Sequence, residues 1–587
     1  MIHDRKDNGI YYTDIYLAQK LASQTIQKYV ELHGMEKLSR AKFFEPCNGI
    51  GIFTFAYLIE SQKLFEKEYK ANWKEKVVEQ LSHVYVADFD QEALQTYADL
   101  LASFCSMFDL DIDIKKVERN IWSHGLIYRV NEADVEWIDF EEVKEYFKLK
   151  ESFDIILTNP PYKKLKAEKQ QFQHSSQFET AKQVFHQITT RLRTESQFTY
   201  SIEGTLNLYK LFTESILEEY TDQKAQAIVG VLIPYNILMD LQCQKLRNRI
   251  LERHSLLEVI TFQENNDFFQ DSTQSLCYLL LEVVGQTVDV KFLHQVSNMD
   301  DFIDPEYITT PVDLITRLTT SNSIIPLLPI EKSILEKTLH HQHLEKYQEV
   351  QVLRGELDLT LGKPFIVDDQ KKRENSLPLI RGNILGSDYT IKGDTQKEWV
   401  LVDEFVKKSP QKSKLFTRER IACQQIVNMK KRKRISFSKV KPNHILANSC
   451  NFMTVEKDTM ALDALLGYMN SSFVDWRFKM TSSNNHVNNY ELLEIPLPDP
   501  HTFRTSYLHI QEEVERYVST FDAPHLAAID AEVFRLFRCD VDEVLHILTE
   551  LQKPISYISR VLFLAFHERT VQKLLAEYME KLEKNPE

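Results

Sequence analysis

The stretch "AKFFEPCNGIGIF", residues 41–53, runs from an apolar segment of strand length into two glycines one residue apart and on into a helical segment. Gly49 and Gly51 therefore fall in a strand-to-helix turn, where the missing Cβ atoms let a ligand approach the backbone. Outward from this turn, further apolar runs at 83–88, 112–118, 153–159, 225–234, 256–262 and 275–283 alternate with helical patterns as far as about residue 290. That alternation predicts an α/β domain with a mostly parallel sheet. Within it, "NLYKLFTESILEEY" (207–220) sets Leu208, Leu211, Phe212 and Ile216 on one helical face. After it come a linker and helical connector (291–349), a mixed α+β domain (350–500) and a helical C-terminal region (501–587).

With 587 residues, 43% apolar and 27% charged, the chain reads as globular, with two or three domains. Its N-terminus lacks the apolar core of a signal peptide, and no stretch approaches the roughly 20 apolar residues of a membrane span. A soluble, cytoplasmic protein with no membrane partner is expected. The seven cysteines are scattered without a CxxC pair, which points to reduced thiols, and no ligand spacing implies a metal. A net charge of -15 conceals a basic island between Lys407 and Lys441, with 13 Lys or Arg and one acid, Glu419. Such an island suits a localised contact with phosphates, or else is a solvated lysine-rich loop.

Two further positions carry chemistry. "VYVADFDQEAL" ends a strand with Asp88, at the edge where an α/β sheet binds its ligand and a carboxylate can accept both hydroxyls of a ribose. "FDIILTNPPY" (153–162) ends another with Asn159, Pro160, Pro161 and Tyr162. The prolines fix φ near -65° and restrict the residue before each, so the loop is preorganised. The Asn159 amide and the Pro160 carbonyl can accept two hydrogen bonds from an exocyclic amino group, and Tyr162 offers a flat face to a planar base.

These motifs, in this order, resemble those of S-adenosylmethionine-dependent DNA adenine-N6 methyltransferases of the gamma group, the TaqI-like enzymes with an NPPY motif. The resemblance covers about residues 9–285 and, more loosely, 350–500. It implies a Rossmann-like class I methyltransferase domain followed by a target-recognition domain, with S-adenosyl-L-methionine as cofactor. It further implies Thr13 of "GIYYTD" near the methionine carboxylate, and Glu45, Cys47, Gly49 and Gly51 around the methionine moiety. Asp88 would take the ribose, Phe89 the adenine ring, and Asn207 and Tyr209 would stand near the cofactor pocket. Phe269, or alternatively Phe268, would stack on the face of a flipped target base opposite Tyr162. The pattern departs from the family after the third strand, where an acidic residue usually binds the cofactor's adenine amine; here Asn120 is the candidate and Asp134 the second choice.

Sequence choice would belong to the second domain. Arg381, Asn383, Arg418, Arg420, Gln424, Gln425 and Asn428 are candidate readers of base edges, and Lys430, Lys431, Arg432, Lys433 and Arg434 candidate phosphate contacts. The resemblance implies the modification component of a restriction-modification or phage-defence system, acting as a monomer on double-stranded DNA beside a separate restriction endonuclease. Three other readings share features of the site. RNA adenine methylation uses the same residues, protein glutamine methylation the same amide logic, and a catalytically silent DNA-specificity subunit would lack cofactor binding.

Overall fold

The computed structural model describes residues 13–131, 134–167, 175–195, 197–224, 226–269, 275–385, 389–391, 397–408, 415–456, 460–482, 485–568 and 571–575. They fall into two units, Met1–Thr316 with Ser321–Pro326, and Arg317–Thr320 with Leu327–Glu587. Among the described residues no helix is long and apolar enough to cross a membrane.

The first unit is built on a nine-stranded sheet. Its strands are β1 (Phe43–Glu45), β2 (Val84–Ala87), β3 (Ile121–Trp122), β4 (Ile155–Thr158), β5 (Ile228–Pro234), β6 (Ser255–Phe262), β7 (Leu276–Glu282), β8 (Asp289–Val296) and β9 (Tyr307–Pro311). They lie in the order β9-β8-β6-β7-β5-β4-β1-β2-β3. All neighbours are parallel except β7, which runs against β5 and β6, and β9, which runs against β8. β2, β4 and β5 are buried at every residue, as strands covered on both faces must be, which is why they read as unbroken apolar runs. β1 shows the two faces directly. Phe43 stacks on Tyr57 at 4.1 Å, while its neighbour Phe44 stacks on Phe153 at 4.2 Å. Helices α1 (Ile15–His33), α2 (Ile52–Tyr69) and α3 (Gln91–Met107) supply cover. α1 and α3 start where Asp14 and Asp90 accept backbone N–H groups of the first turn. After β1 the chain builds outward through β2 and β3, then returns to place β4 on the other side of β1. Ligands bind at such a switch point, beyond the carboxyl ends of the strands.

Two expectations are corrected. The run 112–118 is not a strand: Asp113 accepts the Lys115 amide at 3.2 Å and starts a short helix, Ile114–Glu118. The third strand comes later and is only Ile121–Trp122. The stretch from 291 is not a plain linker either, because β8 and β9 extend the sheet through it.

In the second unit, Val350–Arg354, Cys450–Val455, Arg420–Gln424 and Phe437–Val440 form an antiparallel sheet in that order. A second sheet joins Ile366–Asp368, Glu398–Val400, Leu377–Ile380 and Ile445–Leu446. Helices Leu462–Asn470 and Ser472–Thr481 follow, then Arg504–Thr520, Ala523–Leu536, Val541–Glu550 and Ile555–Ala565. An ion pair is sealed in this unit. Arg420 and Glu356, both fully buried, bond to each other, and Glu356 also accepts the Leu446 amide at 2.8 Å. Arg420 further donates to the His444 carbonyl. Removing one partner strands the other charge in a dry interior. Glu356→Ala is therefore expected to lower the stability of this unit by about 3–5 kcal/mol, read by denaturant unfolding.

Candidate active site

β1, β2, β3 and β4 are parallel neighbours, so their carboxyl ends share one edge of the sheet. The segments that follow them, at 46–50, 88–93, 123–128 and 159–163, line a cavity of about 690 Å³, within the size range of small-molecule sites.

Gly49 and Gly51 both adopt positive φ, +53° and +91°. Asp88 holds their turn. One carboxylate oxygen accepts the Gly49 amide at 2.7 Å, and the other accepts the Asp90 amide at 2.9 Å. The loops after β1 and β2 are thus tied together, and each oxygen retains a second lone pair for a ligand hydroxyl. Burial raises the Asp88 carboxyl above its ordinary value, with the Asp90 and Gly49 amides opposing the shift. Phe89, 57% exposed, presents its ring on the cavity wall. Glu45, at the end of β1, is buried and accepts both the amide (2.7 Å) and the hydroxyl of Thr54. Burial lifts its carboxyl well above the usual range. Burial, with Asp88 and Glu45 nearby, likewise lifts the Cys47 thiol, which makes it a poor nucleophile.

At the end of β4, Asn159 is fixed from both sides: its amide nitrogen donates to Thr13 Oγ1 at 3.2 Å, and its oxygen accepts from the Tyr162 hydroxyl. That hydroxyl also reaches the Leu232 carbonyl at 3.0 Å. Thr13, Asn159, Pro161 and Lys163 line the cavity. Tyr162 does not. Only 5% exposed, its ring meets Tyr209 edge-on at 6.4 Å, so the stacking face expected from the sequence is turned into the protein. In this conformation Tyr162 orients Asn159.

Asn207 stands behind the loop, beside the cavity-lining Leu208. It starts helix α4 (Leu208–Ser215), and its amide donates to the Tyr162 carbonyl at 3.4 Å. With Leu208 N bonded to Lys163 O (3.0 Å) and Leu165 N to Leu206 O (2.9 Å), it clasps the backbone behind NPPY. Leu208, not Asn207 or Tyr209, reaches the cavity. Asn120 lies at the opposite edge of the sheet, donating to the carbonyls of Ser82 (3.3 Å) and Val84 (3.1 Å) before β2 and β3 have run their length. Asp134 belongs to a two-stranded hairpin, and its side chain lies outside the described residues, as do residues 9–12 of the opening motif. The segment that does follow β3, Ser123 to Tyr128, is not marked by the sequence pattern, which puts the third strand at 112–118 instead of Ile121–Trp122. Phe268 is buried against Phe262 and Phe302, whereas Phe269 is half-buried and meets Phe262 edge-on. Both follow β6 on the same edge as Asn159, three strand positions away.

The basic island divides. Arg420 is the buried partner of Glu356, and Arg434, 2% exposed, donates to the Val427 carbonyl and to Ser482 at 3.1 Å, so neither is placed to touch DNA. Lys433 donates to the Asn470 carbonyl at 2.9 Å. Arg381 holds Glu398 with both arms of its guanidinium (2.5 and 2.8 Å), and Gln425 accepts from Arg354 at 3.2 Å. Gln424 is half-buried; Asn383, Arg418, Asn428, Lys430, Lys431 and Arg432 are exposed. Asn485 braces this loop by accepting the Met429 amide at 2.9 Å.

Two family models match the chain: Eco57I restriction-modification methylase over residues 49–269, and TaqI-like C-terminal specificity domain over 378–497. A restriction-modification methylase domain and a TaqI-like specificity domain are thus both matched within this one chain. No curated protein matches it. Among solved structures, the type IIL restriction-modification enzyme MmeI in complex with DNA is 12% identical, with TM-score 0.50 over 98% of this chain and 80% of that one. The ATP-dependent type ISP enzyme LlaBIII bound to DNA is 9% identical, with TM-score 0.52 over 86% of this chain and 39% of that one. The DrdV–DNA complex is 10% identical, with TM-score 0.51 over 90% and 58%. At these identities the likeness is one of fold, and the chain spans less than two thirds of the last two.

The glycine turn generates a paired prediction. A Cβ at Gly51 would stand 2.5 Å from the Tyr97 ring, whereas one at Gly49 would meet nothing within 4 Å. Gly49→Ala should cost only the left-handed backbone term, about 1–2 kcal/mol, and Gly51→Ala measurably more, both read by denaturant unfolding.

Proposed function

We propose that the chain transfers a methyl group from S-adenosylmethionine to the N6 amine of adenine in double-stranded DNA, at a sequence chosen by its second unit. The observation that carries this reading is the placement of Asn159. Its amide is clamped between Thr13 and Tyr162 on the wall of the cavity that Asp88, Phe89 and the glycine turn also line. The residues fit the cofactor. Asp88 would accept the ribose hydroxyls, Phe89 would lie against the adenine ring, Glu45 would face the methionine amine, and the Ser123–Tyr128 segment would stand where the adenine amine is read. When bound, the cofactor supplies a sulfonium methyl group.

The remaining work falls to this chain's own groups. The Asn159 oxygen and the Pro160 carbonyl accept hydrogen bonds from the exocyclic amine, which draws its lone pair out of conjugation with the ring. The clamp on Asn159 means this alignment needs no reorganisation when the base arrives. A stacked base cannot reach the pocket, so it must be flipped, at a cost of a few kcal/mol, with Phe269 rather than core-bound Phe268 available to stack on it. Stacking by Tyr162 would require its ring to turn away from Tyr209. The system this implies is a restriction-modification or phage-defence pair with a separate endonuclease, this chain acting as a monomer. Protein glutamine is the less favoured substrate, because the TaqI-like specificity segment follows the catalytic one.

Asn159→Ala should cut methyl transfer to DNA by roughly 10²–10³-fold in kcat while leaving cofactor affinity within a few-fold, measured with labelled methyl donor. Equal loss of cofactor binding would assign Asn159 to the cofactor site instead. Asp88 adds a pH test. Only its ionised form accepts two hydroxyls, and its raised carboxyl takes up a proton at higher pH than an exposed aspartate. Cofactor affinity should therefore fall as pH is lowered, from a point above the ordinary aspartate value of about 3.9. In Asp88→Asn affinity should be low throughout and that component of the pH dependence absent, by calorimetric titration.

A further inference from the structure

A second cavity, of about 210 Å³, lies within the second unit. Three separate segments wall it: Arg432 and Lys433 of the basic island, Asn470 to Asp475 at the start of helix Ser472–Thr481, and Leu551 to Pro554 between the last two helices. Three cations stand on its wall, Arg432, Lys433 and Lys553, against one carboxylate, Asp475. Asp475 is itself engaged, accepting the backbone amides of Arg434 (2.8 Å) and Ile435 (3.0 Å). The cations bond to carbonyl oxygens. Arg432 donates to Gln552, Lys433 to Asn470 at 2.9 Å, and Lys479 to Arg432 at 2.7 Å. Such bonds fix the positions of these groups, and Asp475 offsets part of the charge of Lys433 and Lys479.

Behind this wall, burial lowers the ammonium pKa of Lys479, with the Asp475 carboxylate opposing the fall. Three cations against one carboxylate around a hollow make a counter-ion site. Its chemistry is that of a phosphate and not of a base edge. The cations that ring it are mainly lysines, point charges without the planar fork that reads guanine, and of the two amide side chains on its wall, Asn470 and Gln552, the first is bonded to the backbone of Phe437 through both its oxygen and its nitrogen (2.8 Å each).

We propose that this pocket grips a phosphodiester of the DNA backbone, so that the turn between the last two helices, through Lys553, is part of the nucleic-acid interface. The proposal rests on the DNA reading above and extends it to a region for which the sequence suggested no role.

The test is DNA binding by the full chain as a function of salt, comparing wild type with Lys553→Gln, Lys553→Arg and Lys479→Gln. Loss of one phosphate contact should make the slope of log K against log salt shallower by about 0.9 and weaken binding about tenfold near 0.1 M salt. The loss should be equal on cognate and unrelated duplexes, with Lys553→Arg near wild type and the melting temperature of Lys553→Gln unchanged. A steep wild-type slope that Lys553→Gln leaves untouched would overturn the phosphate grip alone. Stabilisation by inorganic phosphate that Lys553→Gln abolishes, with DNA binding unaltered, would overturn it in favour of a free-anion site. Failure of the wild type to bind duplex DNA would overturn both this proposal and the reading on which it rests.

Discussion

Parallel strands that end together leave backbone donors and acceptors beyond their last rung with no strand to pair with, and those groups must be satisfied by whatever follows. In the first unit this constraint shapes the whole site. The Gly49 amide, just past β1, is met by the carboxylate just past β2, and the Asn48 amide by the Ala87 carbonyl at 2.9 Å. Two crossovers that are far apart in sequence are locked at one edge, and the positive φ of both glycines follows from the tightness of that lock. Asp88 is buried because it serves the fold, and the same burial makes it sensitive to pH as a ligand group.

The loop after β4 is satisfied differently. Two prolines remove donors that would otherwise need partners, and the residues that remain are held from behind. Asn207 and Leu208 bind the backbone of Tyr162 and Lys163, while Tyr162 and Thr13 fix the Asn159 amide. Conspicuous side chains thus do different work from what their motif position suggests. Tyr162 aligns its neighbour, and Asn207 supports the loop from outside the cavity. The basic island shows the same division: Arg420 and Arg434 are interior struts, and the exposed cations between and beside them are displayed on what those struts hold rigid.

What was legible in the sequence was local. The runs that became β1, β2, β4 and β5 are buried on both faces and so carry an unbroken apolar signature, and glycine turns and proline pairs announce themselves by composition. The third strand was not legible, because two residues cannot show a period, while the nearby Ile112, Ile114 and Val117 imitate one on a capped helix. β8 alternates exposed and buried positions beside charged residues and resembles a linker until its pairing with β6 is known. Long-range partnership was invisible in the same way. Nothing near Arg420 in the chain announces Glu356, 64 residues earlier, nor does anything near Arg434 announce Asp475 and Ser482. Charge read along a sequence gives the amount of charge; which of it faces solvent depends on contacts made elsewhere.

The account stands on the nature of the atom that receives the methyl group. The most direct measurement is mass spectrometry of nucleosides from duplex DNA after incubation with the protein and S-adenosylmethionine bearing a deuterated methyl. The account predicts labelled N6-methyldeoxyadenosine, confined to one short sequence. Label on cytosine N4, on RNA alone or on protein glutamine would contradict it.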